Sequence, residues 1–147
     1  MKTDMKKIFI LILPMIFFCI PAAYSEVPEE EINISTPVSA SDLSIARAVI
    51  AVYVEDREPV DEGVSFDSSV GKLYCFTHVI GAESETFIRH VWYYKDKEMA
   101  AVLLDVTSPG YRTYSSKNIL DSWTGDWRVE IIDEHDTLLK TVKFTIE

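Results

Sequence analysis

His78 and His90, with Cys75 three residues ahead of the first, are the side chains in this sequence best suited to metal binding or nucleophilic chemistry. They fall in two strand-like runs, "KLYCFTHVI" and "TFIRHVWYY", joined through Gly81 to Glu85. A hairpin centred near Ser84 would set the two imidazoles facing each other. Zinc asks for three or four ligands in a tetrahedron. The chain has no Cys-x-x-Cys and no closely spaced histidine pair, and strand alternation sends Cys75 to the face opposite His78. No metal site is expected, and each imidazole is expected to bond a backbone group or a carboxylate at a strand end. Cys75, among β-branched and aromatic neighbours, reads as a small buried hydrophobe rather than a nucleophile.

Other catalytic patterns are missing from the sequence. There is no Gly-x-Ser-x-Gly elbow and no glycine-rich phosphate loop, and the whole chain holds five glycines. Carboxylates gather in turns such as "DEHD", Asp133 to Asp136. A catalytic acid pair needs two different environments across a cleft, which solvated turn residues do not supply. The expectation is a protein that is not an enzyme and carries no cofactor.

The stretch "GYRTYSSKNILDSWTGDWRV", residues 110–129, offers binding chemistry instead. Tyr111, Tyr114, Trp123 and Trp127 lie among Arg112, Lys117 and Arg128. Exposed tryptophan and tyrosine beside polar groups make platforms for sugars or peptides, and an arginine pairs with acidic groups. On this reading the working surface is His90, Trp92, Arg112, Lys117 and Trp123. On the other, most rings fill the core and Arg112 pairs internally with a carboxylate such as Glu58. Parity assigns Trp127 to the dry face and sends Tyr111 and Tyr114 to opposite faces, so one of them stays wet.

The elements that would position these groups are strands. After residue 44, valine, isoleucine, threonine and aromatics come in short runs separated by Gly, Pro, Asp and Ser. "IARAVIAVYV" reads as a central strand, and "REPVDEGVSFDSS" as a loop or an edge stopped by Pro59 and Gly63. "EMAAVLLDV" follows the turn Lys95-Asp96-Lys97, and "YRTYSSK" follows Pro109-Gly110. In "WRVEIID" and "TVKFTIE" apolar and polar residues alternate strictly. A turn at Glu134 to Thr137 would set Val129 against Val142 and Trp127 against Phe144, with both apolar rows on one face. About seven strands and no long helix predict an all-β fold, an immunoglobulin-like sandwich without its disulfide, over residues 45–147.

Ahead of that domain stand two other segments. Lys2, Lys6 and Lys7 precede the apolar run Ile8 to Ile20, and Ala23-Tyr24-Ser25 suits a signal peptidase, so residues 1–25 are expected to be a cleaved leader. The alternative is an uncleaved anchor, the apolar stretch reaching a marginal 17 residues through Tyr24. Residues 26–44, with Glu29 to Glu31, two prolines and several serines, read as an acidic flexible linker. Without the leader the chain loses three lysines and Asp4, keeping 11 basic and 23 acidic side chains, a formal net charge of −12. That field repels phosphate backbones, so no nucleic acid is expected as partner.

"REPVD", "CFTHV", "RHVWYY", "YRTYSSK" and "TGDWRVEI", in that order, resemble a bacterial family, domain of unknown function 2914. The resemblance runs from about residue 46 to 142. Its specific parts are His90-x-Trp92, Ser115-Ser116-Lys117 and Gly125-x-Trp127. Tyr111 and Tyr114 stand where the family more often has tryptophan. The resemblance implies an extracytoplasmic or membrane-linked accessory domain, and no reaction. The expected protein is an exported, periplasmic or extracellular binding module, its partner an unknown protein or glycan of the envelope, with no membrane span once the leader is gone. Two alternatives stand beside it: an envelope structural or assembly protein docking through an edge strand or the linker, and a hydrolase with an unrecognised site.

Overall fold

The computed structural model describes residues 42–147. The predicted leader, and the predicted linker as far as residue 41, lie outside them. Nine strands follow one another: β1 (Ser44–Glu55), β2 (Glu58–Gly63), β3 (Ser65–Phe66), β4 (Lys72–Ile80), β5 (Thr86–Tyr94), β6 (Lys97–Val106), β7 (Gly110–Asn118), β8 (Gly125–Asp133) and β9 (Leu138–Ile146). One sheet has the order β2-β1-β4-β7, the other β3-β9-β8-β5-β6. The architecture is the predicted all-β sandwich. The two strands beyond the expected seven, β2 and β3, come from the stretch read as a loop or an edge, and both are edge strands. Among the described residues no helix is long and apolar enough to cross a membrane.

Alternation does what the pattern demanded. On β8, Trp127, Val129, Ile131 and Asp133 are buried while the residues between them are half-buried. Val129 pairs with Val142 and Trp127 with Phe144, the predicted register. The turn that sets it is closed by Asp133, whose Oδ1 accepts from the backbone N–H of His135 at 2.9 Å and of Thr137 at 2.7 Å. Asp133 is therefore fully buried, not the solvated turn carboxylate expected from its neighbours.

One expected pairing does not occur. β4 and β5 are not a hairpin: β4 lies in the first sheet and β5 in the second. The chain crosses between sheets at Gly81, and crosses back at Pro109 between β6 and β7. The Gly81 N–H donates to the Pro109 carbonyl at 3.0 Å, so the two crossings are tied at one end of the sandwich. β1 starts at this end, Ser44 paired with Ile80. β9 finishes at the other, where the Ser68 N–H donates to the Glu147 carbonyl at 2.8 Å.

The β1–β2 hairpin departs from a flat ladder. Glu58 pairs with Glu55 at its tip, yet an Arg47 guanidinium nitrogen lies 3.5 Å from Glu58 Oε2. Eight extended residues separate Arg47 from Glu55, roughly 26 Å of strand. That ion pair requires the hairpin to curl back over the outer face of its own sheet. Phe76 and Ala51 are the result: both lie on that outer face by parity, and both are buried.

Gly81 has φ +88°, and a Cβ there would run into the Asp42 carbonyl oxygen. Backbone cannot move aside as a flexible side chain can. Gly81→Ala is expected to lower unfolding free energy by more than about 2 kcal/mol, measured by urea denaturation.

Candidate functional site

The residues picked out for chemistry do not share a surface. His90 and Trp92 are both 0% exposed, so they cannot belong to the working face expected of them. Their even spacing on β5 aims both into the sandwich, where the core lies. His90 does not face His78 either. His78 pairs across β7 with Arg112 and across β1 with Arg47, all in the first sheet.

What His90 meets is a set of hydroxyls. Its Nε2 is 3.0 Å from Thr77 Oγ1 on β4, and its Nδ1 is 2.9 Å from Ser115 Oγ on β7. Trp92 Nε1–H donates to the same Ser115 oxygen at 2.9 Å. Thr77 also bonds the thiol of Cys75. With the proton on Nε2, the bonds run in one direction from the Trp92 indole through Ser115 and His90 to Thr77. On β4, Thr77 lies between Cys75 of one apolar cluster and Val79 of the other. On β5, His90 lies between Trp92 and Ile88 in the same way. The expected partners, a backbone group or a carboxylate, are replaced by a polar layer joining the two sheets.

A serine beside a histidine invites a nucleophile reading. The electrostatics oppose it: burial pushes the His90 imidazole down to about 3, and a general base works best near the operating pH. Burial pushes the Cys75 thiol up to about 12, partly offset by the Thr77 bond, so it stays protonated. His90 and Ser115 line none of the three recesses described for the surface. Among the described residues no three His, Cys, Asp or Glu side chains are grouped to hold a metal ion.

Most of the remaining rings are filling. Trp127 is buried on the dry face, stacked on Phe144 at 5.9 Å between centroids. Trp123 is half-buried against that cluster, and its carbonyl accepts from Trp127 Nε1 at 3.1 Å. Lys117 lies over the Trp123 ring at 5.7 Å. Tyr111 packs on the core while Tyr114 is 45% exposed, the wet one of the pair.

Arg112 stands apart from Lys117 and Trp123. Arg112 and Lys117 are five positions apart, an odd offset that sends them to opposite faces of β7. The expected internal partner is present: Arg112 Nε is 3.3 Å from Glu58 Oε1. Both groups are half-exposed, so this ion pair contributes at most about 1 kcal/mol.

Arg112 also borders a recess the sequence did not disclose. Val54, Asp56 and Arg57 of the curled hairpin tip face Tyr111 to Tyr114 of β7 around about 490 Å³. Asp56 and Arg57 have φ of 48° and 62°. These are the two central residues of a tight hairpin turn that ordinarily selects Asn-Gly or Asp-Gly. The turn holds the Arg57 side chain over the recess, and no ion pair engages it among the described residues. The detectable signal was the pair Asp56-Arg57 just past the apolar run Ala48 to Val54; reading Arg57 as the start of a loop hid it. A larger recess of about 710 Å³ lies on the outer face of the second sheet, with Lys95, Arg128, Lys143, Asp96 and Asp126 at its walls. There Arg128 is engaged by Asp96 at 2.6 Å and Glu130 at 2.8 Å, and lies over the Tyr93 ring.

Two outcomes follow from the polar layer. Ser115→Ala strands the Trp92 N–H and one His90 nitrogen, and is expected to cost about 1–3 kcal/mol in urea denaturation. The second concerns pH. The unfolded chain takes up a proton near 6.5, the folded His90 only near 3. Protons therefore favour unfolding across that interval. Stability held above pH 6.5 is expected to fall as pH drops toward 3, by about 1.4 kcal/mol per pH unit from this group. His90→Gln should remove that part of the slope, whatever it does to stability at pH 7.

A comparison with curated proteins finds no match. Among solved structures, a mutant beta-glucosidase from Listeria innocua in complex with laminaribiose is similar over 71% of this chain, at 6% identity and a TM-score of 0.40. This chain spans 16% of that enzyme's length. The sequence gives a firmer likeness: residues 85–146, from the turn before β5 to the end of β9, match the model of the family described as Protein of unknown function (DUF2914).

Proposed function

We propose that this protein is an exported, non-enzymatic binding module of the bacterial envelope, holding a carboxylate of an envelope glycan or peptide in the recess between the β1–β2 tip and β7. The observation that carries this reading is Arg57, a guanidinium without an ion-pair partner among the described residues, set over a recess it shares with Arg112 and two tyrosines. A planar fork of N–H donors fits a carboxylate bidentately. The tyrosines add ring faces and hydroxyls. The Glu58 pairing of Arg112 is weak and exposed, so an incoming carboxylate exchanges for it at little cost. Positive-φ side chains at the tip support the same view, since such backbone is retained where the neighbourhood over-determines it. Export rests on the leader pattern of residues 1–25, and the absence of a reaction on the burial of His90, Ser115 and Cys75.

A panel of peptidoglycan fragments with free stem-peptide carboxylates, scored by calorimetry, tests the reading. Arg57→Gln and Arg112→Gln are each expected to weaken binding about tenfold. Lys117→Ala and Trp123→Ala should leave it unchanged, because neither borders the recess. No binding by the parent chain, or equal loss in all four variants, would refute it.

A further inference from the structure

The four sheet edges are not equally guarded. β2 carries Pro59, Glu58, Asp61 and Glu62, which block pairing with another strand. β3 has two residues, and β7 carries Arg112 and Lys117. β6 is different. It is the last strand of its sheet, and six consecutive residues, Met99 to Leu104, are uncharged, with no proline among them. Leu103 is 58% exposed on the outer face. An edge of this kind is a ready template for another strand.

The sequence of the edge says which strand. Residues 100 to 104 read Ala-Ala-Val-Leu-Leu. Laid antiparallel on a second copy with Val102 at the two-fold axis, Ala100 meets Leu104 and Ala101 meets Leu103. A small side chain opposes a large one on both faces of the joined sheet, so neither face clashes or gapes. No charged side chain falls within the paired stretch Ala100 to Leu104, so no two like charges lie directly opposite there. That matters for a chain as acidic as this one, because like charges directly opposite would be destabilising. The β5–β6 ladder is irregular where Tyr93 pairs with Glu98, skipping Met99, which confines the regular edge to Ala100 onward.

We propose that two copies of this chain associate edge to edge through β6, in antiparallel register about Val102, forming one continuous ten-stranded sheet. The association does not depend on the recess at the β1–β2 tip, which lies on the other sheet. Sedimentation of the full chain at rising concentration should show a reversible dimer. Leu103→Lys, at an exposed position, should weaken it about tenfold while leaving thermal unfolding of the monomer unchanged. The register has its own test. In a Cys19→Ser background, a mixture of Ala101→Cys and Leu103→Cys chains should form a crossed disulfide faster than either variant alone. A monomer at all concentrations overturns the proposal and leaves the edge to some other chain. A dimer indifferent to Leu103→Lys, or cysteines that link no faster when mixed, overturns it as well.

Discussion

A buried histidine with both ring nitrogens satisfied is the constraint around which this sandwich closes. An unpaired polar group in such a place costs about 1–3 kcal/mol. The sheets can therefore approach only where Thr77 and Ser115 of one meet His90 of the other. Apolar side chains above and below tolerate small sliding; hydrogen bonds of about 3 Å do not. The layer also explains why so large a ring as Trp92 sits wholly inside. Its indole N–H has a partner in Ser115, and its apolar body packs edge-on against Phe144.

The same layer changes what the motifs that carry the family resemblance mean physically. His90 and Trp92 read as parts of a binding face, and the first serine of Ser115-Ser116-Lys117 only as a mark of the family resemblance. They are two halves of one interior junction, on strands 25 residues apart. Polar residue types suggest a surface only when burial is unknown. Here burial follows from strand parity, and His90 has the parity of Ile88 and Trp92.

Much of the fold was legible because alternation is a local property. The β8–β9 register followed from which residues were apolar, and so did the dry assignment of Trp127 and the expectation that one of Tyr111 and Tyr114 stays wet. Sheet membership was not legible. A five-residue link between two good strands suits a hairpin as well as a crossing, and only Gly81, pressed against the Asp42 carbonyl, marks the crossing. The curl of the β1–β2 hairpin was equally hidden, since it depends on ion pairs between residues 11 and 15 apart. The recess at its tip was hidden with it. Arg112 was found because its neighbours were aromatic; Arg57 was missed because its partners come from a different part of the chain.

The placement of the first and last strands carries a mechanical consequence. β1 begins beside the tied crossings, and β9 ends at the far end of the sandwich. Tension applied between Ser44 and Ile146 therefore runs along the strands and loads their ladders in shear, with many bonds sharing the strain at once. A hairpin pulled from one end would instead unzip bond by bond. The fold is built as a strut along its long axis, with resistance set by how slowly it ruptures rather than by its equilibrium stability.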